Sequence, residues 1–210
     1  MKTLKRRPLR HRANGQAEPT WEIARLFPEQ GNWSVQEYLA LPGNHLVEFS
    51  AGFLEVLPMP TTMHQWIVLY LWESLKRFTG DWSGLGLALA AALRVRLWED
   101  KFREPDVVFM LTKHRHRALD EYWDGADLVM EVVSGDPEDR KRDLVTKRAE
   151  YARARIAEYW IVDPKLKQIT VLRLKGKTYA VHGVFKNTQR ATSRLLPGFG
   201  VDVGTVFAGP

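Results

Sequence analysis

The sequence predicts a mixed α/β fold with α+β character, in which a central mixed β-sheet is flanked by helices. Two apolar runs, at 106–111 and 126–133, have the length and composition of buried strands. Helical periodicity marks the segments at 61–80 and 136–155, one before and one after these runs. Hairpins are indicated towards both ends of the chain. Elements in this order pack as a sheet that is covered by helices.

Caps, turns and periodicity define the elements that precede the apolar strands. A short helix at 34–41 begins with a capping box, in which Ser34 is the cap and Glu37 follows three residues later. Alternation around the letters SAG predicts an N-terminal β-hairpin at 45–58. The helix at 61–80 ends at a glycine, which is a common C-terminal cap.

The remaining elements include further strands and a C-terminal β-meander. The segment 85–98 is ambiguous by propensity, although the alternation LRVRLW favours a strand in its second half. The helix at 136–155 carries acids early and bases late, which suits its dipole. A strand at 157–164 ends at Asp-Pro, and a hairpin follows with its turn at 175–177. The tail at 195–207 is predicted as a loop with a short strand.

Length and composition favour one domain, expected at 21–210. A chain of 210 residues that is 45% hydrophobic can bury one substantial core. The absence of cysteine excludes disulfides, zinc–thiolate sites, iron–sulfur clusters and thiol catalysis. No apolar run approaches the roughly 18–20 residues that cross a bilayer, and no secretory signal is recognisable. We therefore expect a cytoplasmic protein with no membrane partner.

The net charge of +6 is concentrated at the N-terminus. Residues 1–12 contain six lysines or arginines and no acid, and the rest of the chain has 25 basic and 25 acidic residues. We expect residues 1–20 to form a flexible basic arm ahead of a neutral folded part. Such an arm either binds phosphates electrostatically or serves as a solubilising tail. Bulk charge therefore does not decide the function.

Each of the two apolar strands carries a carboxylate, Asp106 in the first and Glu131 in the second. Burying an ionised carboxylate is costly unless it is paired, hydrogen-bonded or bound to a metal. If the strands are neighbours, the two acids converge at one end of the sheet. They would then suit Mg²⁺, which takes one or two carboxylates together with waters and substrate phosphate. The alternative is that one acid caps a turn and the other faces solvent.

The helix after the second strand adds a lysine to this arrangement. Asp143, Lys147 and Tyr151 are spaced i, i+4 and i+8, so they share one helix face. A lysine directed towards two carboxylates can polarise a nucleophilic water or offset charge on a phosphate in the transition state. The alternative is an Asp143–Lys147 surface pair, which contributes only a few tenths of a kcal/mol.

Other motifs carry less chemistry. The glycine-spaced run at 84–93 lacks the strand-to-helix context of a dinucleotide site and the lysine of a phosphate-binding loop. No Ser-His-Asp order of a serine hydrolase is recognisable. The letters HRHR at 114–117 have no carboxylate at useful spacing for a metal site. They are interpreted as a solvated basic loop.

The combined pattern resembles a known family of nucleases. The letters EPD, followed 25 residues later by EVVS and then by DLVTKRAEY and AEYWIVDP, are similar to the PD-(D/E)XK nuclease superfamily. Within it, the chain resembles the Uma-two family of restriction-endonuclease-like proteins from about Ser34 to Phe207. The stretch LVEFSAGFLEVLPMPTTMHQ and the closing LPGF also match that family. The resemblance implies a restriction-endonuclease-like core.

The resemblance also implies roles for the candidate site residues. Asp106 and Glu131 would be metal ligands, joined by the backbone carbonyl of Val132 or its neighbour. Glu48, on the early hairpin, would be an auxiliary acid. The superfamily usually places a lysine two residues after the glutamate, where this chain has Val133. Lys147 would supply that lysine from the next helix, because a long stem can bring an ammonium to the same place.

Further residues are candidates for auxiliary roles. His64 matches a recurrent family position and would contact phosphate or the carboxylate of Glu48, or else be a structural histidine. Arg103 would contact phosphate or simply decorate a strand end. Asp143 and Tyr151 are auxiliary candidates because they share the helix face of the lysine.

The implied function is hydrolysis of DNA phosphodiester bonds, with Mg²⁺ or Mn²⁺ as cofactor. DNA and a divalent metal would be the partners, and a homodimer is expected from the need to cut two strands. Two alternatives stay open. One is a catalytically silent DNA-binding or protein-interaction module of the same fold, and the other is a phosphodiesterase that acts on RNA or nucleotides.

Overall fold

The computed structural model describes residues 28–41, 46–135 and 137–209, except for the side chains at 138 and 139. The basic arm predicted at 1–20 lies outside these ranges, as does the start of the predicted domain at 21–27. The strands are β1 (Val47–Ser50), β2 (Phe53–Val56), β3 (Gly86–Ala90), β4 (Val95–Trp98), β5 (Lys101–Arg103), β6 (Val107–Leu111), β7 (Trp123–Asp124), β8 (Leu128–Val132), β9 (Glu158–Asp163), β10 (Gln168–Lys175), β11 (Thr178–Lys186), β12 (Arg190–Thr192) and β13 (Gly200–Asp202).

Helices connect and cover these strands. Within the ranges described, none of them is long and apolar enough to cross a lipid bilayer. The helices are α1 (Val35–Leu39), α2 (Thr62–Thr79), a 3-10 helix (Thr112–Arg117), α3 (Pro137–Lys141), a π-helical segment (Arg142–Thr146), α4 (Lys147–Arg153) and α5 (Val203–Val206).

The larger sheet has six strands in the order β11-β10-β9-β8-β6-β3. Among the six strands of this sheet, β8 and β9 are the parallel pair, and the segment from α3 to α4 is the crossover that joins them. Alternate residues of β8 face two separate cores. Met130 belongs to the core that contains Leu71 of α2, and Val129 belongs to the core that contains Tyr151 of α4. The predicted mixed sheet flanked by helices is confirmed.

A second sheet of five strands, in the order β2-β1-β5-β4-β7, was not predicted as a separate layer. The hairpin expected at 45–58 forms β1 and β2 within it. Its own core includes Tyr38 of α1, whose ring stacks on Phe49 with the centroids 5.2 Å apart. The ambiguous segment 85–98 contains one strand of each sheet, because β3 joins the larger sheet and β4 the smaller one. Strand β5 has three residues, which is too short to show a period.

The helix predicted at 136–155 is interrupted by the π-helical segment. There the backbone N–H of Lys147 donates to the carbonyl of Arg142, five residues earlier, and the turn is wider than an α-turn. The side chains of Asp143 and Lys147, at the two ends of the wide turn, are both buried. The prediction that they share one face is confirmed.

The C-terminal part contains the predicted β-meander, in which β9, β10 and β11 pair as successive antiparallel neighbours. The tail adds a two-stranded sheet of β12 and β13 and the short helix α5. The short strand expected at 195–207 corresponds to β13.

Gly86 lies where β3 approaches β6 too closely for a side chain. A Cβ atom there would be 2.1 Å from the carbonyl oxygen of Met110 and 2.7 Å from the ring of Phe109. Gly86→Ala is therefore expected to lower the free energy of unfolding by about 1–3 kcal/mol, as forced overpacking does. Urea denaturation followed by tryptophan fluorescence measures the change. Gly135→Ala is the control, because no atom lies within 4 Å of that Cβ position. Equal stability of both variants would contradict the argument.

Candidate active site

Asp106 and Glu131 lie at the same edge of the larger sheet. Asp106 directly precedes β6, and Glu131 lies in β8, the antiparallel neighbour of β6. The backbone N–H of Val132 donates to Oδ2 of Asp106 at 2.7 Å. Glu131 is only 3% exposed, so it does not face solvent. The contact that Val132 makes with Asp106 is through its amide, and a metal-ligand role for its carbonyl stays a prediction.

The ammonium of Lys147 lies among three carboxylates. Its Nζ is 2.9 Å from Oε1 of Glu131, 3.4 Å from Oε1 of Glu48 and 3.5 Å from Oδ1 of Asp143. The side chain is 3% exposed, so the alternative of an Asp143–Lys147 surface pair is wrong. Burial opposes the charged form, but the three carboxylates outweigh it and raise the pKa of Lys147 above its usual range.

Tyr151 completes the contacts of Glu131 on the helix side. Its hydroxyl donates to the same oxygen, Oε1, that accepts from Lys147. Val133 occupies the position where the superfamily usually has its lysine, and it belongs to the apolar core around Tyr151. The stem of Lys147 therefore reaches Glu131 from α4, as the resemblance implied.

Glu48 comes to this cluster from β1 of the smaller sheet. It is 1% exposed and also accepts from the backbone N–H of Glu104 at 3.1 Å. Burial alone would raise its pKa, but the charges of Lys147 and Arg103 bring the pKa of Glu48 down to about 2. An ionised carboxylate therefore lies beside the lysine, at the place expected for an auxiliary acid.

Arg103 is buried among carboxylates, and the expectation that it decorates a strand end is wrong. It bonds to Glu48 and Glu55 of the hairpin and makes two bonds, of 2.8 and 3.1 Å, to Glu150 of α4. Lys101 approaches Glu150 from the same strand at 2.8 Å. Sequence reasoning missed Glu55, Glu150 and Lys101, because their partners are distant along the chain and follow no local period. A phosphate contact for Arg103 stays a prediction.

His64 contacts Asp106 and not the predicted Glu48. It lies in the first turn of α2, where its backbone N–H donates to the capping hydroxyl of Thr61, and its Nε2 is 3.3 Å from Oδ2 of Asp106. Burial lowers its pKa, but the hydrogen bond and charge of Asp106 prevail and raise the pKa of His64 overall. Its Nδ1 is buried and has no hydrogen-bond partner among the residues described.

The carboxylates of the cluster lie close enough together to disfavour the ionised form of Glu131. Burial and the neighbouring carboxylates of Asp106, Asp143 and Glu48 raise the pKa of Glu131 to about 8, although Lys147 opposes them. Oδ1 of Asp143 is buried and accepts no hydrogen bond from the described groups, although the ammonium of Lys147 lies 3.5 Å away. Carboxylate oxygens are the ligands that Mg²⁺ prefers, so the donor set fits this ion. In the described ranges, however, no three His, Asp or Glu side chains form a ready-made cation site.

The basic cluster at 114–117 lies at the opposite end of β6 from Asp106. It forms most of the 3-10 helix rather than the expected loop, but none of its four side chains is buried. His114 pairs through Nδ1 with the carboxylate of Asp127 at 2.8 Å, and Asp127 also accepts from the backbone N–H of Leu111. The spacing at 114–117 did not reveal this carboxylate, because Asp127 is thirteen residues away in the chain. This pair closes the end of the sheet and does not belong to the candidate active site.

Comparisons with known proteins agree with this architecture. A crystal structure described as "a putative nuclease belonging to DUF820" from Anabaena variabilis superimposes with a TM-score of 0.68. The two sequences are 16% identical, and the match covers 84% of this chain and 98% of the other, which shows a shared fold. A comparison with curated proteins gives no significant match. The family model described as "Putative restriction endonuclease" matches residues 35–204. The chain therefore belongs to the Uma2 family.

Proposed function

We propose that the protein is a metal-dependent endonuclease that hydrolyses DNA phosphodiester bonds. The observation that carries this proposal is the buried ammonium of Lys147 on Glu131, whose strand also contacts Asp106 at the sheet edge. Membership of the Uma2 family and the fold shared with a protein described as a nuclease support it.

Asp106 and Glu131 are the residues that would hold the metal ion. The chemistry that Mg²⁺ or Mn²⁺ supplies in such a site is activation of water and neutralisation of phosphate charge. Asp106 is the more accessible of the two, with a side chain that is 17% exposed. Glu131 is fixed by Lys147 and Tyr151, so its carboxylate is oriented before any ligand binds.

Lys147 and His64 would stabilise negative charge on the reacting phosphate. Lys147 stays protonated among its carboxylates and favours the ionised form of Glu131, and its positive charge offsets charge that develops on the phosphate. His64 adjoins the opposite side of the cluster, where its Nε2 meets Asp106. Protonated His64 would favour a phosphate near this carboxylate.

Supercoiled plasmid is the direct test of this function. The purified protein is expected to convert it to nicked or linear DNA with Mg²⁺ or Mn²⁺, and EDTA is expected to stop the reaction. Glu131→Gln, prepared in parallel, controls for contaminating nucleases. Cleavage that resists EDTA, or that persists in the variant, would contradict the proposal. Binding of DNA without cleavage would favour the silent module, and cleavage of RNA alone would favour the RNA phosphodiesterase.

A homodimer belongs to the same proposal, because two centres are needed to cut both strands at once. Light scattering after size exclusion measures the mass in solution. A monomer that nicks one strand at a time would retain the nuclease and remove the dimer from the proposal.

A further inference from the structure

A small basic pocket lies in the C-terminal part of the fold, away from the candidate active site. Its volume is about 260 Å³, and it is lined by Arg173 of β10, Val181 and His182 of β11, and Arg194 after β12. None of the four lining residues is acidic. No local pattern connects these residues, because three separate segments of the chain supply them.

Arg194 extends from a fixed piece of backbone. Glu158, which is 1% exposed, accepts through Oε2 from the backbone N–H groups of Arg194 and Leu195 at 2.6 and 2.8 Å. Its Oε1 accepts from the hydroxyl of Ser193 and the indole of Trp160 at 2.6 and 2.7 Å. Four neutral donors thus satisfy this carboxylate and hold the segment that presents Arg194.

Arg173 lies directly across the ladder from Glu158, yet the two side chains form no ion pair. Their Cα atoms are partners in the β9–β10 pairing. The carboxylate of Glu158 is turned towards residues 193–195 and accepts hydrogen bonds there. It therefore does not neutralise the guanidinium of Arg173.

The two guanidiniums of the pocket are unusual among the arginines of the described part. Nearly all of the others donate a hydrogen bond or lie over an aromatic ring. Arg173, Arg190 and Arg194 are the described arginines whose side chains do neither. Two of these three line the same pocket, together with His182 of β11.

We propose that this pocket binds a phosphate group. Two guanidinium forks match phosphate oxygens in geometry and charge. The half-buried imidazole of His182 lies beside them, with its Nε2 3.4 Å from the hydroxyl of Thr192. The apolar wall formed by Val181, which is 53% exposed, suits a sugar or base attached to that phosphate. A free nucleotide and the backbone of a nucleic acid share this chemistry.

The pocket is distinct from the carboxylate cluster. Glu131 pairs with Ile161, whereas Glu158, at the level of the pocket, pairs with Leu128 three residues earlier in β8. Three residues correspond to about 10 Å along a strand, and β10 lies a further two strands, or about 10 Å, to the side. The proposal therefore stands whether or not the carboxylate cluster cleaves DNA.

The test measures binding without cleavage, with the full chain in EDTA. Inorganic phosphate and deoxyadenosine monophosphate are titrated by calorimetry, and a labelled 16-base-pair duplex by fluorescence anisotropy at several salt concentrations. Arg173→Gln and Arg194→Gln are compared with Arg190→Gln, an arginine outside the pocket that lies across the β12–β13 ladder from Asp202. All three are surface changes that should alter stability by less than about 0.5 kcal/mol, which thermal denaturation verifies.

The expected result is a loss of affinity of about tenfold or more in Arg173→Gln and Arg194→Gln, with Arg190→Gln unchanged. If the loss concerns phosphate and the mononucleotide alone, the pocket takes a free phosphate compound. If duplex binding weakens and its salt dependence falls by about one charge per substitution, the pocket holds a backbone phosphate. Unchanged binding of all three probes in both pocket variants would overturn the proposal.

Discussion

Asp106→Ala is expected to abolish metal-dependent cleavage, by at least about three orders of magnitude, while the fold persists. Asp106 lies at the sheet edge, and its described contacts are one bond from the Val132 amide and one approach from His64. Leaving the buried amide of Val132 without this acceptor costs about 1–3 kcal/mol of stability, less than a typical domain's total. Losing a carboxylate that holds the metal removes charge stabilisation that the reaction needs. Plasmid nicking measures the activity, and circular dichroism with thermal denaturation verifies the fold.

Asp127→Ala is the matched control for this experiment. Asp127 makes the corresponding kind of contact at the other end of the same strands, where its carboxylate accepts from the backbone N–H of Leu111 at 2.8 Å. Its loss should therefore lower stability by a similar or larger amount and leave the cleavage rate of the folded protein unchanged. Normal cleavage by Asp106→Ala, or equal inactivation by both variants, would refute the assignment of Asp106.

Arg103→Met is expected to give the largest loss of stability, about 3–5 kcal/mol. Removing one partner of a buried ion pair leaves the other charges uncompensated, which costs far more than the pair contributes. Arg103 contacts three glutamates, two from the hairpin and one from α4, so its loss affects both elements. Of the two cations that contact Glu48, Lys147 alone would then be left. Its stronger attraction to Glu48 would draw the ammonium of Lys147 away from Glu131. Urea denaturation measures the stability.

Arg96→Met serves as the comparison for Arg103. Arg96 lies in the neighbouring strand β4 and pairs through two bonds with Asp124, but this pair is partly exposed and does not lead to Lys147. Its loss should cost about 1 kcal/mol or less. Arg103→Lys should recover part of the stability, because a charge remains without the two-bond fork. Equal losses of stability in Arg103→Met and Arg96→Met would show that the buried contacts of Arg103 contribute no more than a partly exposed ion pair.

The part of the site that could be predicted is the part encoded by short spacings. Asp143, Lys147 and Tyr151 follow one another at helical intervals, and the strand-borne acids Asp106 and Glu131 are conspicuous inside apolar runs. Family resemblance then indicated which of several open alternatives to prefer. The burial of Lys147 and the neighbouring position of the two strands needed the structure.

The part that could not be predicted depends on distant contacts. Arg103 meets Glu150 across 47 residues, and Arg142 meets Glu55 across 87 residues, so no local pattern records either contact. The π-helical segment was also missed, because the i, i+4 spacing that suggests an α-helix does not show one extra residue in the turn. The smaller sheet was overlooked because its strands are two to four residues long.

The junction between the two sheets has a mechanical consequence. Arg103 is the last residue of β5 in the smaller sheet. Asp106 follows only three residues later and directly precedes β6 of the larger sheet. Arg103, which anchors the smaller sheet, and Asp106, the candidate metal ligand beside the larger sheet, are thus joined by a short tether that contains Pro105. A shift of the smaller sheet would therefore move Asp106 as well, because so few residues separate them. Substitutions far from the carboxylates, in the hairpin or in β4, would then change the reaction rate by moving this tether.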